Sequence, residues 1–139
     1  MRRPILGVGG LVFDQGRILL VKRGAPPAKG AWSLPGGKLR QGESLAAGVA
    51  REMLEETGLI VATGELVAVY ERLPCPGEAG GDAHYVVLDY LCEATGGKLR
   101  AGDDADQAGW FAVGELGGIR LTAGAAAVIR KGLAMVTGR

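Results

Sequence analysis

Two apolar, β-branched runs open the chain, ILGVGGLVF at 5–13 and RILLVKR at 17–23, separated by Asp14, Gln15 and Gly16. Alternating apolar positions around a short polar break predict a β-hairpin. The prolines and glycines of GAPPAKGA, 24–31, forbid regular structure and predict a connecting loop. From Ser44 to Thr57 the spacing becomes helical: Ala46, Val49, Ala50 and Met53 fall on one side, Ser44 can cap the start and Gly58 can end the helix. ELVAVYERL (65–73) and HYVVLDYLCEA (84–94) alternate as strands about the loop PCPGEAGGD, and a shorter strand surrounds Trp110 and Phe111. The closing segment TAGAAAVIRKGLAMV, 122–136, offers Thr122 as a cap and Val128, Ile129 and Leu133 for a second helix. Strands interleaved with two helices predict an α/β fold, a mixed sheet sandwiched between helices.

Length places this pattern in one domain, 1–139, able to bury a sizeable core. With 16 basic and 15 acidic side chains the formal charge is +1, so composition offers no case for a nucleic-acid polymer or an anionic membrane as partner. Cys75 and Cys92 match neither a CxxC motif nor a disulfide framework, which suits a reducing compartment. The N-terminal residues lack a small-residue cleavage pattern, and no apolar run reaches the length of a membrane helix. These features predict a soluble, cytoplasmic protein.

The segment GGKLR occurs twice, at 36–40 and 96–100. Only the first copy is followed by a helix with a patterned acidic face, in QGESLAAGVAREMLEETGL, so the repeat reads as coincidence in a turn-rich chain. Glu52, Glu55 and Glu56 are spaced i, i+3, i+4 and share one side of that helix. Like charges at these spacings cost roughly 0.2 to 0.5 kcal/mol each, and near a helix C-terminus the dipole disfavours them further. A solvated face is the ordinary reading of such glutamates. A local rule broken at a cluster also marks functional sites, and hard oxygen donors on one side suit Mg²⁺ or Mn²⁺. Gly48, one turn before Glu52, leaves room on that face at a cost of about 1 kcal/mol relative to alanine.

Gly37, five residues, Glu43, seven residues and then Arg51-Glu52-Met53-Leu54-Glu55-Glu56-Thr57-Gly58-Leu59 resembles the Nudix box at every defined position. The resemblance implies an α/β/α sandwich that hydrolyses a nucleoside diphosphate linked to another moiety, using Mg²⁺ or Mn²⁺. By resemblance, Glu52, Glu55 and Glu56 look like metal ligands, joined by the carbonyl of Gly36. Glu52 is similar to the residue that activates water in some members, while others place that base elsewhere. Arg51 and Glu43 would pair to hold the loop against the helix, Gly58 would end the helix, and Pro35, Gly36 and Gly37 would let the backbone approach metal and phosphates. Lys38 and Arg23 are candidates for contacting the nucleotide. Related enzymes often supply a further acid shortly before the strand containing Trp110; here Asp104 is the first candidate, with Asp103, Asp106 and Glu93 beside it.

The box identifies the bond broken and not the leaving group. Pro74 lies 15 residues past Leu59, where ADP-ribose-hydrolysing Nudix enzymes characteristically carry a proline. Ala125 falls where mutator-type members use an asparagine to read an oxidised purine, and alanine offers no such hydrogen bonds. Trp32, Tyr70, Tyr85 and Tyr90 could stack on a base, although aromatics at strand positions are more often core, and His84 reads as a strand residue satisfied by hydrogen bonds before it reads as a ligand contact. The expected substrate is therefore a small nucleotide, ADP-ribose first and a nucleoside triphosphate, oxidised ones included, second. A Nudix-fold sensor that binds nucleotide without cleaving it is the reading from another class. Monomer and homodimer are both compatible with the resemblance.

Overall fold

The computed structural model describes residues 3–24, 28–77, 81–100 and 105–138, with the side chains of Ala105 and Asp106 outside the description. Element order is β1 (Ile5–Leu11), β2 (Phe13–Asp14), β3 (Arg17–Arg23), β4 (Trp32–Ser33), β5 (Gly36–Lys38), α1 (Leu45–Thr57), β6 (Leu59–Arg72), β7 (Tyr85–Gly97), β8 (Ala105–Ala112), a 3₁₀ turn (Val113–Gly118) and α2 (Ala125–Thr137). The strands form two four-stranded sheets. One runs β5-β1-β7-β6; in the other, β3 pairs β2, β4 and β8. The β1–β7 pair is parallel and its neighbours antiparallel, so the mixed α/β architecture expected from the pattern is present.

The first apolar run divides at Val12. Residues up to Leu11 pair with β5 and β7, while Phe13 and Asp14 form the hairpin with β3 across Gln15 and Gly16, both at positive φ. Val12 is buried, and its carbonyl accepts from Leu19 N at 3.0 Å. A single alternating run does not reveal that its two ends belong to different sheets. The strand expected from Glu65 begins at Leu59 instead, directly after α1. Three register shifts along β6 break the alternation that would have exposed its first half. Thr122 does not cap α2: the N-cap is Gly124, at φ 83, and the ring of Tyr70 fills the place a side chain there would need. Left-handed backbone at Gly124 starts the helix later than its sequence suggests.

The core has two parts, assigned by the alternation of β3. Ile18 and Leu20 join Leu11, Val67, Leu91, Val128 and Ile129 on the side covered by α2. Leu19 turns the other way, to Val12, Met53, Leu59 and Val61 beneath α1. α1 approaches β1 closely because position 10 is glycine; a Cβ there would lie 2.5 Å from Met53 Cε and 3.3 Å from Val49.

α1 is capped as expected, Ser44 Oγ accepting from Ala47 N at 3.1 Å and Gly58 closing the helix at φ 79 with its N–H on the Leu54 carbonyl. The second GGKLR copy serves this end of the helix. Gly97 turns at φ 83, after which Lys98 N donates to Gly58 O at 3.2 Å and Arg100 N to Thr57 O at 2.7 Å. A side chain on Gly58 would collide with the Lys98 carbonyl. Gly58→Ala, which adds left-handed strain to that collision, is expected to lower unfolding free energy by about 1 to 3 kcal/mol in a denaturant titration.

Candidate active site

β5 places the first GGKLR copy against β1, with Gly36 opposite Gly9, Gly37 opposite Val8 and Lys38 opposite Gly7. The buried Pro35 turns the chain into this sheet, and its carbonyl accepts from Gly10 N at 3.0 Å. Beyond Leu39 a tight turn forms: Arg40 N donates to Glu43 Oε1 at 2.9 Å and Glu43 N to Arg40 O at 3.2 Å. The loop then meets α1 at Gly48. A Cβ there would stand 2.7 Å from Leu39 Cδ1 and 3.1 Å from Glu43 Oε1, so the room left on the helix is taken by the loop.

Arg51 joins these parts. Nε donates to Glu43 Oε2 at 2.7 Å and Nη2 to Glu43 Oε1 at 2.8 Å, a bidentate pair. Nη2 also reaches the Lys38 carbonyl at 3.0 Å, and Nη1 donates to Glu52 Oε1 at 2.7 Å and Glu55 Oε2 at 3.3 Å. The hydrogen bond from Arg51, helped by the Arg40 N–H, holds Glu43 down at about 2. Glu43 in turn raises Arg51 further above its ordinary value. Arg40 adds a second guanidinium 3.4 Å from Glu55.

The three box glutamates have different partners. Glu52 is only 14% exposed, and a Cβ on Gly37 would lie 2.6 Å from its carboxylate. Glu55 is shared by Arg40 and Arg51. Glu56 Oε1 accepts from Gly36 N at 2.7 Å. Among the described residues they do not close into a metal cage, since each is drawn to a positive or N–H donor. They nevertheless bring hard oxygen donors to the backbone of Gly36 and Gly37, in a cradle that a side chain at Gly37 would fill. That donor set fits a hard divalent cation.

The other candidates lie farther out. Arg23 ends β3, where its backbone bonds to Gly30 and Ala31; Lys38 is exposed at the end of β5. Pro74 lines an open cleft of ≈ 390 Å³ with Arg3, Ile5, Asp82, Ala83 and His84. Ile5 and Gly9 share β1, which puts this cleft roughly 13 Å along the strand from the Gly36 register. His84 Nε2 lies 2.8 Å from Glu71 Oε2. Glu93 is exposed on β7; Asp103 and Asp104 lie outside the described residues, as does the Asp106 side chain. Trp32 packs edge-on against Phe111 at 4.6 Å, and Ala125 is buried in α2.

Asp89 escaped the sequence reading. It is 5% exposed on β7, on the same inward side as Leu91, and burial pushes its carboxyl up to about 6. The sign inside HYVVLDYL was an acid at an inward position of an apolar strand, hidden because β7 is polar at other positions too.

A sheet pair clasped between two helices, with a glycine loop set against a carboxylate helix, defines an α/β sandwich whose oxygen donors fit a hard divalent cation. The chain belongs to the Nudix family: the NUDIX domain model matches residues 3–132. It is 38% identical over 113 residues to an ADP-ribose pyrophosphatase of Methanocaldococcus jannaschii, covering 81% of this chain and 64% of that protein. The 8-oxo-dGDP phosphatase NUDT18 of Mus musculus is 31% identical over 70% of this chain but only 29% of its own length. The chain thus spans less than two thirds of these relatives. Among solved structures, a MutT NUDIX hydrolase from Burkholderia pseudomallei superposes with a TM-score of 0.81 at 31% identity, covering 94% of this chain and 98% of that one. A NUDIX hydrolase from Nitrosomonas europaea gives 0.82 at 26% identity over 100% of this chain and 76% of that one.

The raised carboxyl of Asp89 has a measurable cost. Below its ordinary value of 3.8 the group is neutral folded or unfolded; above about 6 the folded protein must hold a buried charge that the unfolded chain would solvate. Stability attributable to this group therefore falls as pH rises through that interval. Asp89→Asn is expected to match the parent in chemical denaturation at the acid end and to exceed it by on the order of 1 to 3 kcal/mol at pH about 8.

Proposed function

We propose that this chain is a divalent-metal-dependent pyrophosphohydrolase cleaving the P–O–P bond of a nucleoside diphosphate derivative, with ADP-ribose as first substrate and AMP and ribose 5-phosphate as products. The observation that carries the reading is the Arg51-centred unit, which assembles loop, helix and box glutamates in one place. Glu52, Glu55 and Glu56 with the Gly36 carbonyl would hold Mg²⁺ or Mn²⁺. When bound, such an ion neutralises pyrophosphate oxygens and lowers the pKa of water.

The chain's own share is positioning. Arg51 and Glu43 fix the loop on the helix, and Gly36 and Gly37 keep backbone rather than side chain beside the phosphates. Lys38 and Arg23 are assigned to the nucleotide's anionic part, and Asp104 to a supplementary acid. The M. jannaschii relative and Pro74 support ADP-ribose. The NUDT18 likeness, to an enzyme named for an oxidised nucleoside diphosphate, supports an oxidised nucleotide within the second substrate class, although the buried Ala125 offers a purine no side-chain hydrogen bond. Both thiols are free, and no helix among the described residues is long and apolar enough to cross a membrane; these features support a cytoplasmic site of action.

Chromatographic product analysis with Mg²⁺ across ADP-ribose, NADH, diadenosine polyphosphates, 8-oxo-dGTP and ordinary triphosphates tests the reading. Release of AMP and ribose 5-phosphate with kcat/KM at least about tenfold above the other substrates is expected. Pyrophosphate release from a triphosphate would transfer the assignment to the second class, and nucleotide binding without any product would establish a sensor. Glu56→Gln keeps size and can still accept from Gly36 N, so it is expected to retain its melting temperature while turnover falls by about 100-fold or more. Near-parental turnover in that variant would remove Glu56 from the metal set.

A further inference from the structure

Asp89 is placed where the mechanism above leaves it unused. It pairs in register with Gly9, which pairs in turn with Gly36, so three adjacent strands carry the box loop, a glycine and a buried acid in one row. A Cβ on Gly9 would collide with Asp89 Oδ1 and stand 3.3 Å from the Pro35 carbonyl. The carboxyl therefore folds over the bare backbone of Gly9, beside the chain crossing that leads into the box.

No hydrogen bond from the described residues reaches this carboxyl, and its oxygens keep a trace of solvent contact. That is uncommon for a side chain so deeply placed: buried carboxyls are normally paired or hydrogen-bonded. Other acids near the loop are occupied, Glu43 by Arg51 and Glu56 by Gly36 N. Two strand spacings separate Asp89 from Gly36, roughly 10 Å, a span suited to the distance between a nucleotide's phosphates and its base or sugar. The Pro35 carbonyl at the same spot already accepts from Gly10 N, which leaves Asp89 as the acceptor without a protein donor among the described residues. A group offering only acceptors repels phosphate and suits a neutral partner with N–H or O–H donors.

Resting on the reading of the site as a nucleoside diphosphate hydrolase, we propose that Asp89 is a specificity-determining residue that accepts a hydrogen bond from a donor on the substrate's nucleoside. Two groups of adenosine have that chemistry, the exocyclic amine of the base and the ribose hydroxyls. A site built around such an acceptor rejects an analogue that lacks the donor, because the acceptor is then left unpaired.

The test measures kcat/KM for the parent, Asp89→Leu and Asp89→Asn on ADP-ribose, its hypoxanthine counterpart and its counterpart with 2′-deoxyadenosine. Melting temperature serves as the fold check. The parent is expected to favour ADP-ribose over at least one analogue by about tenfold or more, and Asp89→Leu to erase that preference. If the erased preference is against hypoxanthine, the donor is the base amine, and Asp89→Asn, which can donate to the hypoxanthine carbonyl, should tip the ratio toward hypoxanthine. If it is against the deoxy sugar, the donor is the hydroxyl. A merely structural role would change all three substrates by one factor and leave the ratios intact. Unchanged ratios in both variants, with the parent active, would overturn the assignment of Asp89 alone. A parent inactive on every diphosphate would overturn the hydrolase reading and the assignment with it.

Discussion

One guanidinium organises the functional half of this molecule. Arg51 is fixed by its place on α1, yet it reaches the turn through Glu43, the β5 backbone through the Lys38 carbonyl, and its own helix through Glu52 and Glu55. Lysine could not replace it, since a point charge lacks the planar fork that engages both oxygens of Glu43 while still turning toward other acceptors. The interaction also resolves the local conflict in α1. Carboxylates at i, i+3 and i+4 repel one another, and no basic residue occupies the last turn of the helix. Arg51 and Arg40 supply from the side the compensation that the helix terminus lacks.

The glycines nearby follow from the same demand for proximity. Gly48 admits the loop to the helix, Gly10 admits the helix to the sheet, and Gly37 leaves its place to the Glu52 carboxylate. Each costs chain entropy or helix propensity, and each lies where a methyl group would displace a side chain that joins two elements, Leu39, Met53 or Glu52. The tight assembly of loop, helix and strand thus depends as much on absent side chains as on Arg51.

What could be read from sequence, and what could not, divides along local and non-local lines. α1 was legible almost to the residue because its evidence is local: helical apolar spacing, Ser44 before it and Gly58 after it. The longer strands were recognised, and the hairpin across Gln15 and Gly16 among their pairings, but the short strands β4 and β5 and the other partners were not. Nothing in ILGVGGLVF says that Val12 is a corner between sheets, and the bulges of β6 erase the period by which Leu59 to Gly64 would have been recognised. Gly124 replaced Thr122 at the start of α2 because Tyr70, far away in sequence, occupies the space above it. In the site, the box residues were found through spacing and resemblance. Asp89 was not, because its significance depends on Gly9, one strand from Gly36, and on the absence of a hydrogen-bond donor to it among the described residues.

The two sides of the sheet around Gly36 therefore have opposite electrostatic tasks. On the α1 side, glutamates are held ready by arginines and an N–H, each at an orientation that the proposed metal would have to win from an existing partner. Metal binding there exchanges one set of charge-assisted bonds for another, so the net gain is smaller than a bare acidic cluster would offer, and the fold does not depend on the ion to relieve repulsion. On the inward side no donor among the described residues reaches Asp89. Its acceptor capacity is unspent, at the cost of the burial that raises its carboxyl. A ligand reaching both would meet a balanced network at its phosphates and, at its nucleoside, a carboxyl that no donor among the described residues engages. Discrimination between nucleosides is then strongest at the second position, where a group without a donor displaces solvent from the Asp89 carboxyl and gains nothing in return.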